Sequence, residues 1–143
     1  MSEALNELAG YIQLKQPEAV VSATVAFGEL TLIANLANLE ALVEFLRDDA
    51  SCRFSSLVDI TAIDHTSEEG AFHVVYVLRS PKHRTKLIVK ARVPAADPRV
   101  PSATVLWKAA DWAEREVWDM FGVRFDGHPN LRRILMYEPF EGH

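Results

Sequence analysis

Apolar side chains recur with helical spacing in three stretches and alternate like strands between them. Leu5, Leu8, Ala9 and Ile12 fall at i, i+3, i+4 and i+7, which predicts an amphipathic helix over 1–16, closed ahead of Pro17. Residues 20–34 are rich in Val, Thr and Leu around Gly28-Glu29 and read as a hairpin or two short strands. Leu39, Leu42, Val43 and Leu46 restore the helical spacing, with Asn38 as the expected N-cap and Arg47 in the last turn. A strand follows over 53–63, with Phe54, Val58, Ile60 and Ala62 assigned to one face. Thr66 to Gly70 is a polar turn. Phe72, Val74, Tyr76 and Leu78 then alternate with His73, Val75, Val77 and Arg79, and Ser80 to Arg84 form the next turn. In the following strand Leu87, Val89, Ala91 and Val93 face one way, and Lys86, Ile88, Lys90 and Arg92 the other.

Pro94, Pro98 and Pro101 mark 94–101 as a loop. Helix is expected from about Ser102. Asp111 and Glu114 have capping-box spacing, so a new segment is expected to begin at Trp112, run to Phe121 and close on Gly122 at C′. Helices alternating with runs of strands predict an α+β fold: two layers, a mixed or antiparallel sheet with helices on one face, in one domain over 1–143. A length of 143 residues suits a single core, and 49% apolar with 24% charged residues excludes general disorder. The apolar runs are too short to span a bilayer, and the N-terminus resembles neither a signal nor a transit peptide.

Charge is uneven. Residues 1–70 carry a net −9 and 71–143 a net +4, with six bases and no acid between Arg79 and Arg92. Such a stripe can face nucleic acid, an anionic membrane, an acidic protein or simply water; the overall −5 argues against nucleic acid. The single cysteine, Cys52, rules out an internal disulfide, a CxxC zinc site and a four-cysteine iron–sulfur site. There is no GxGxxG and no GxSxG. Gly122 and Gly127 have phosphate-loop spacing, but His128-Pro129 stands where Lys and Ser or Thr are needed. The histidines lack metal-ligand spacing, so His128 is expected to tie a loop by hydrogen bonds rather than to bind metal with Asp119.

Residues 111–135 carry the most information. A helical wheel assigns Ala113, Val117, Met120 and Phe121 to the core and turns Trp118 away from them, beside Glu114 and Arg115. A large aromatic on a charged face is a candidate interface anchor. Arg115 and Asp119 are i, i+4 neighbours. Glu114, Glu116 and Asp119 spread around the helix, so they do not form a convergent catalytic set. Beyond Gly122 the chain is expected to be extended through Phe125, with a tight turn at Gly127.

Glu114-Arg115-Glu116, two residues, Asp119-Met120-Phe121, six residues, His128, three residues, Arg132, then Ile134-Leu135 resembles the signature of a known family, the 30 kDa subunit of NADH-quinone oxidoreductase (respiratory complex I, NDH-1). Phe54 to Asp64, Phe72 to Leu78 and Lys86 to Val93 are similar to that family's core strands, so the likeness covers roughly residues 30–143. The family continues past a segment like Phe140-Glu141-Gly142-His143 into Pro-Leu-Arg and a longer tail, whereas this sequence stops at His143, as a form lacking that tail would.

The resemblance implies a complex that passes electrons from NADH through FMN and iron–sulfur clusters to quinone, coupled to proton translocation. It implies that this chain is a structural subunit of the peripheral arm, with those cofactors in its partners. It further implies docking on the 49 kDa subunit and on the quinone-proximal iron–sulfur subunit, on the cytoplasmic side of a bacterial inner membrane. Glu114, Arg115, Glu116, Trp118, Asp119, Phe121, Gly127, His128, Pro129, Arg132 and Arg133 are the expected docking residues, with 122–143 as an extended docking segment. The equivalent subunit of a related membrane-bound hydrogenase is the second reading, and a stand-alone enzyme using Asp59, Asp64 or Asp119 the third.

Overall fold

The computed structural model describes residues 2–129 and 131, so Arg132, Arg133 and most of the expected docking segment lie outside the described residues. One mixed five-stranded sheet dominates. Its strands are β1 (Val20–Ala26), β2 (Glu29–Ala34), β3 (Ser56–His65), β4 (Ala71–Ser80) and β5 (Thr85–Pro94), in the order β1-β2-β5-β4-β3. Neighbours are antiparallel except β2 and β5, which run parallel. Three helices lie on one sheet face: α1 (Ser2–Lys15), α2 (Leu39–Asp48) and α4 (Ala110–Phe121). The chain is thus a two-layer α+β fold, as its alternation of elements predicts.

Period-two alternation decides which sheet face is covered. Leu30 and Leu32, then Leu87, Val89, Ala91 and Val93, then Val74, Tyr76 and Leu78 all point into the helix layer and are buried. Leu39, Leu42, Val43 and Leu46 of α2 and Ile12 of α1 meet them in one continuous core. Their apolar stripes, not intrinsic propensity, hold these helices, since short helices gain most of their stability from packing.

Local departures from the expected pattern have identifiable causes. A bulge between Leu57 and Asp59 shifts the β3 register, so Leu57 turns inward and Val58 is left 57% exposed. Asn38 makes no side-chain cap; Asn35 instead accepts a hydrogen bond from the Ala37 N–H and starts a 3₁₀ turn (Leu36–Asn38) that leads into α2. The polar turn after β3 is a one-turn helix, α3 (Thr66–Glu69), closed by Gly70 in the left-handed conformation. Within the proline-rich loop, β6 (Arg99–Pro101) pairs parallel with β7 (Arg124–Asp126). Helix does not start at Ser102: residues 104–109 form turns, and α4 begins at Ala110, two residues before the expected Trp112. Gly122 closes α4 at φ 76°, where a Cβ would be strained, as its place after Phe121 predicts.

Candidate functional site

The segment that seats α4 is built around a buried carboxylate. Glu114 is 0% exposed. It accepts a 2.7 Å hydrogen bond from the Ser102 hydroxyl and a 2.6 Å bond from the Ala103 N–H. Burial pushes its pKa up, opposed by those two donors and by the neighbouring His128. The buried Tyr76 phenol is also shifted up, by burial first and then by the charge of Glu114. Two further bonds fix the same loop: Arg47 Nη1 donates to the Leu106 carbonyl at 3.1 Å, and Trp107 Nε1 to the Phe54 carbonyl at 3.3 Å. The carboxylate therefore ties the chain before α4 to the helix itself. It is not the reciprocal partner of Asp111 that capping-box spacing suggested.

Asp111 instead holds the segment after α4. The His128 ring, with no exposed side-chain area, sits with Nε2 3.0 Å from the Asp111 carbonyl and 3.1 Å from Asp111 Oδ1. A carbonyl only accepts, so Nε2 carries the proton. This is the loop tie expected of His128. Arg115 reaches back to Asp111 at 3.9 Å, while its guanidinium lies over the Trp112 ring at 5.5 Å from the centroid. Its helical ion pair thus runs toward the helix start, not toward Asp119. Gly127 takes φ 89° and supplies the turn that brings His128 back to α4.

These ties sort α4 into three arcs at 3.6 residues per turn. The inward arc is Ala110, Ala113, Glu114 and Val117, with Phe121 partly buried edge-on to Phe72 at 6.1 Å. The flank beside His128 carries Asp111, Arg115 and Trp118, all half-buried. The outward arc is Trp112, Glu116, Asp119 and Met120, of which Trp112 is 54% and Met120 65% exposed. Met120 is thus not a core residue. The satisfied Glu114 takes its place on the packed side, which turns the helix by about one position relative to the apolar wheel.

Of the expected docking residues, the structure brings Arg115, Glu116, Trp118 and Asp119 to the accessible faces of α4, with Gly127 and Pro129 exposed nearby. Glu114 and His128 support that surface from beneath, and Phe121 lies at the core edge. Sequence reasoning missed Trp112 as an exposed anchor and Ser102 and Ala103 as the seat of Glu114. Trp112 was findable, lying four and eight residues before Glu116 and Met120. The Ser102 contact, twelve residues away across turns, had no periodic signal.

The carboxylates of the stand-alone-enzyme reading do not converge. Asp59 faces the open side of β3 and accepts from the Ile60 N–H. Asp64 has the opposite parity on β3 and accepts from the Thr66 N–H and hydroxyl, which hold its pKa low. Among the described residues no three His, Cys, Asp or Glu side chains are grouped to hold a metal. Cys52 is 1% exposed, and burial pushes its thiol up to about 12. Native protein is therefore expected to react with iodoacetamide at pH 8 roughly a thousandfold more slowly than free cysteine. It should label fully in guanidinium, and mass spectrometry reads both; fast native labelling would contradict the burial.

No described helix is long and apolar enough to cross a membrane. A profile of the family described as "Respiratory-chain NADH dehydrogenase, 30 Kd subunit" matches residues 32–143. The chain is 48% identical over its whole length to an NADH-quinone oxidoreductase subunit of Agrobacterium fabrum, covering 71% of that protein. It is 50% identical to the same subunit of Cereibacter sphaeroides, again over the whole chain and 71% of the relative. Among solved structures, the trypsin-resistant fragment (1-134) of Nqo5 superposes with a TM-score of 0.71 at 28% identity, over 92% of this chain and all of that one. A chain of the archaeal membrane-bound sulfane sulfur reductase, a respiratory membrane complex, superposes with a TM-score of 0.75 at 27% identity, over 95% of this chain and 75% of that one.

Proposed function

The chain belongs to the family of the 30 kDa subunit of the respiratory-chain NADH dehydrogenase and is a subunit of an NADH-quinone oxidoreductase, and from that premise we propose that it is a cofactor-free docking subunit of the peripheral arm. One observation carries the reading. The outward arc of α4 presents Trp112 and Met120 beside Glu116, next to Arg115 and Trp118, on a helix whose first half is fixed by two polar ties, through Glu114 and Asp111. A rigid helix face with exposed aromatic and thioether groups among charges suits protein recognition. Among the described residues the lone thiol is buried with no second cysteine beside it, and Asp59 and Asp64 lie on opposite faces of β3.

In this reading the partners against α4 are the 49 kDa subunit and the quinone-proximal iron–sulfur subunit. Electron transfer and proton translocation belong to the assembly, and the chain reaches the cytoplasmic side of the membrane only through it. The likeness to the archaeal sulfane sulfur reductase chain supports a second reading, the equivalent subunit of a related membrane complex.

The test is an affinity pull-down of the tagged chain from cells, with mass spectrometry and an iron assay of the eluate. The expected result is co-recovery of the 49 kDa and iron–sulfur subunits, with iron present only when they are. Recovery alone, or with iron bound to the isolated chain, would overturn the reading. Recovery with hydrogenase-type or sulfur-reductase-type large subunits would establish the second one.

A further inference from the structure

The helices cover only one side of the sheet. On the other side, register sets Ile33, Lys90 and Val75 abreast across β2, β5 and β4, with Ile88 and Val77 abreast in the next row. No described helix packs there; α1, α2 and α4 all contribute to the core on the opposite face. Ile33, Ile88 and Val77 remain half-exposed in the middle of the sheet. A sheet tolerates one wet face when that face is polar, but this face has an apolar centre.

The charges on this face are not balanced. Glu29 is engaged by Lys86 at 3.3 Å, and Glu69 by Arg92 at 3.3 Å and His73 at 3.0 Å. Lys90 sits in the apolar row with no carboxylate in ion-pair reach among the described residues. Arg79, Lys82 and Arg84 likewise have none, at the tip end of the same hairpin. Asp59 faces the same side from β3 with no base in ion-pair reach among the described residues, so the net unanswered charge on this side is positive, and its central member, Lys90, is half-buried among aliphatic side chains.

We propose that the open sheet face is a second docking surface, for an apolar protein surface carrying a carboxylate that pairs with Lys90. It rests on the reading that the chain works inside a multisubunit complex, and it makes the chain a bridge, one partner against α4 and another against the sheet. A protein partner fits better than a lipid surface. The apolar groups at the centre of this face are half-buried in the sheet and do not stand out from it for insertion into a bilayer. A rigid complementary surface can instead desolvate Lys90 while supplying its counter-charge, which gives register and specificity.

The test compares the purified complex with the isolated full-length chain. Both are acetylated at lysine and oxidised by hydroxyl radicals, and the modified sites are read by mass spectrometry. Lys90 is expected to be protected about tenfold or more in the complex, and Lys90→Glu to lower co-recovery of partner subunits about tenfold with an unchanged melting temperature. A carbodiimide cross-link from Lys90 to an acidic residue of another subunit would identify the partner. Equal labelling of Lys90 in both samples, with Trp112 and Met120 protected only in the complex, would overturn this inference and leave α4 docking intact. Loss of protection at both faces would overturn both readings. Lys90-dependent binding of the isolated chain to phosphatidylglycerol vesicles, without Lys90 protection by partner subunits, would replace the protein partner by lipid.

Discussion

Glu114→Ala is expected to destabilise the chain by about 3 kcal/mol, because it strands the buried Ala103 N–H and takes from the Ser102 hydroxyl its carboxylate acceptor, leaving it only Thr104 Oγ1. At this chain length that corresponds to a melting-temperature drop of roughly 10 °C. Glu114→Gln is expected to cost only about 1 kcal/mol. The amide oxygen still accepts from Ala103, and the Ser102 hydroxyl can rotate to accept from the new NH₂ group. The pH dependence separates the carboxylate from its shape. Burial raises the Glu114 pKa, so the folded state holds the proton more tightly than the unfolded chain does. The contribution of this group is therefore full in acid and is lost as pH rises from the unfolded carboxylate range through the raised value. Wild type should lose stability relative to Glu114→Gln over that interval and run parallel to it above. Denaturation curves at a series of pH values check this; a difference independent of pH would contradict the buried ionisable anchor. Asp48, Asp64 and Glu69, whose pKa values are held low by hydrogen bonds from Arg47, Thr66 and His73 in turn, act in the opposite sense in both proteins and cancel from the comparison.

The same residue shows where sequence reasoning stops. The sheet was legible because alternation maps directly onto its two faces: Lys86, Lys90 and Arg92 lie opposite Leu87, Val89 and Ala91, as their order along the chain requires. Helix α2 was legible because its apolar stripe is uninterrupted. Helix α4 was misassigned because a wheel ranks residues by polarity. A glutamate with two buried donors is an inward residue that looks outward, and Met120 looks inward for the converse reason. The bulge at Val58 and the β6–β7 pairing were illegible on other grounds. Each depends on backbone contacts with a distant partner strand, not on local composition. The expected docking residues came from a resemblance, and the structure divides them by exposure: Glu116, Gly127 and Pro129 are among those accessible at the surface, while Glu114 and the His128 ring are buried and hold the helix in place.

That separation yields the other large expected effect. Trp112→Ala with Met120→Glu should reduce the chain recovered in the assembled complex about thirtyfold or more, the consequence of losing roughly 2 kcal/mol at a buried aromatic anchor and adding an unpaired charge. Both side chains are more than half exposed in the isolated chain, at 54% and 65%, so their replacement removes little core packing. The melting temperature of the variant should therefore stay within a few degrees of wild type. Turnover per assembled complex should also be unchanged, since in the docking reading both side chains serve attachment and not the chemistry of the complex. Glu114→Ala provides the contrast: it should lower assembly only in proportion to the folded chain that remains. Quantifying this subunit and a partner subunit in purified membranes, together with NADH-quinone activity per partner, distinguishes the outcomes. Full assembly of the double variant would exclude the outward face of α4 as an interface. Normal assembly with lost turnover would instead place that face in the chemistry of the complex, contrary to a docking role.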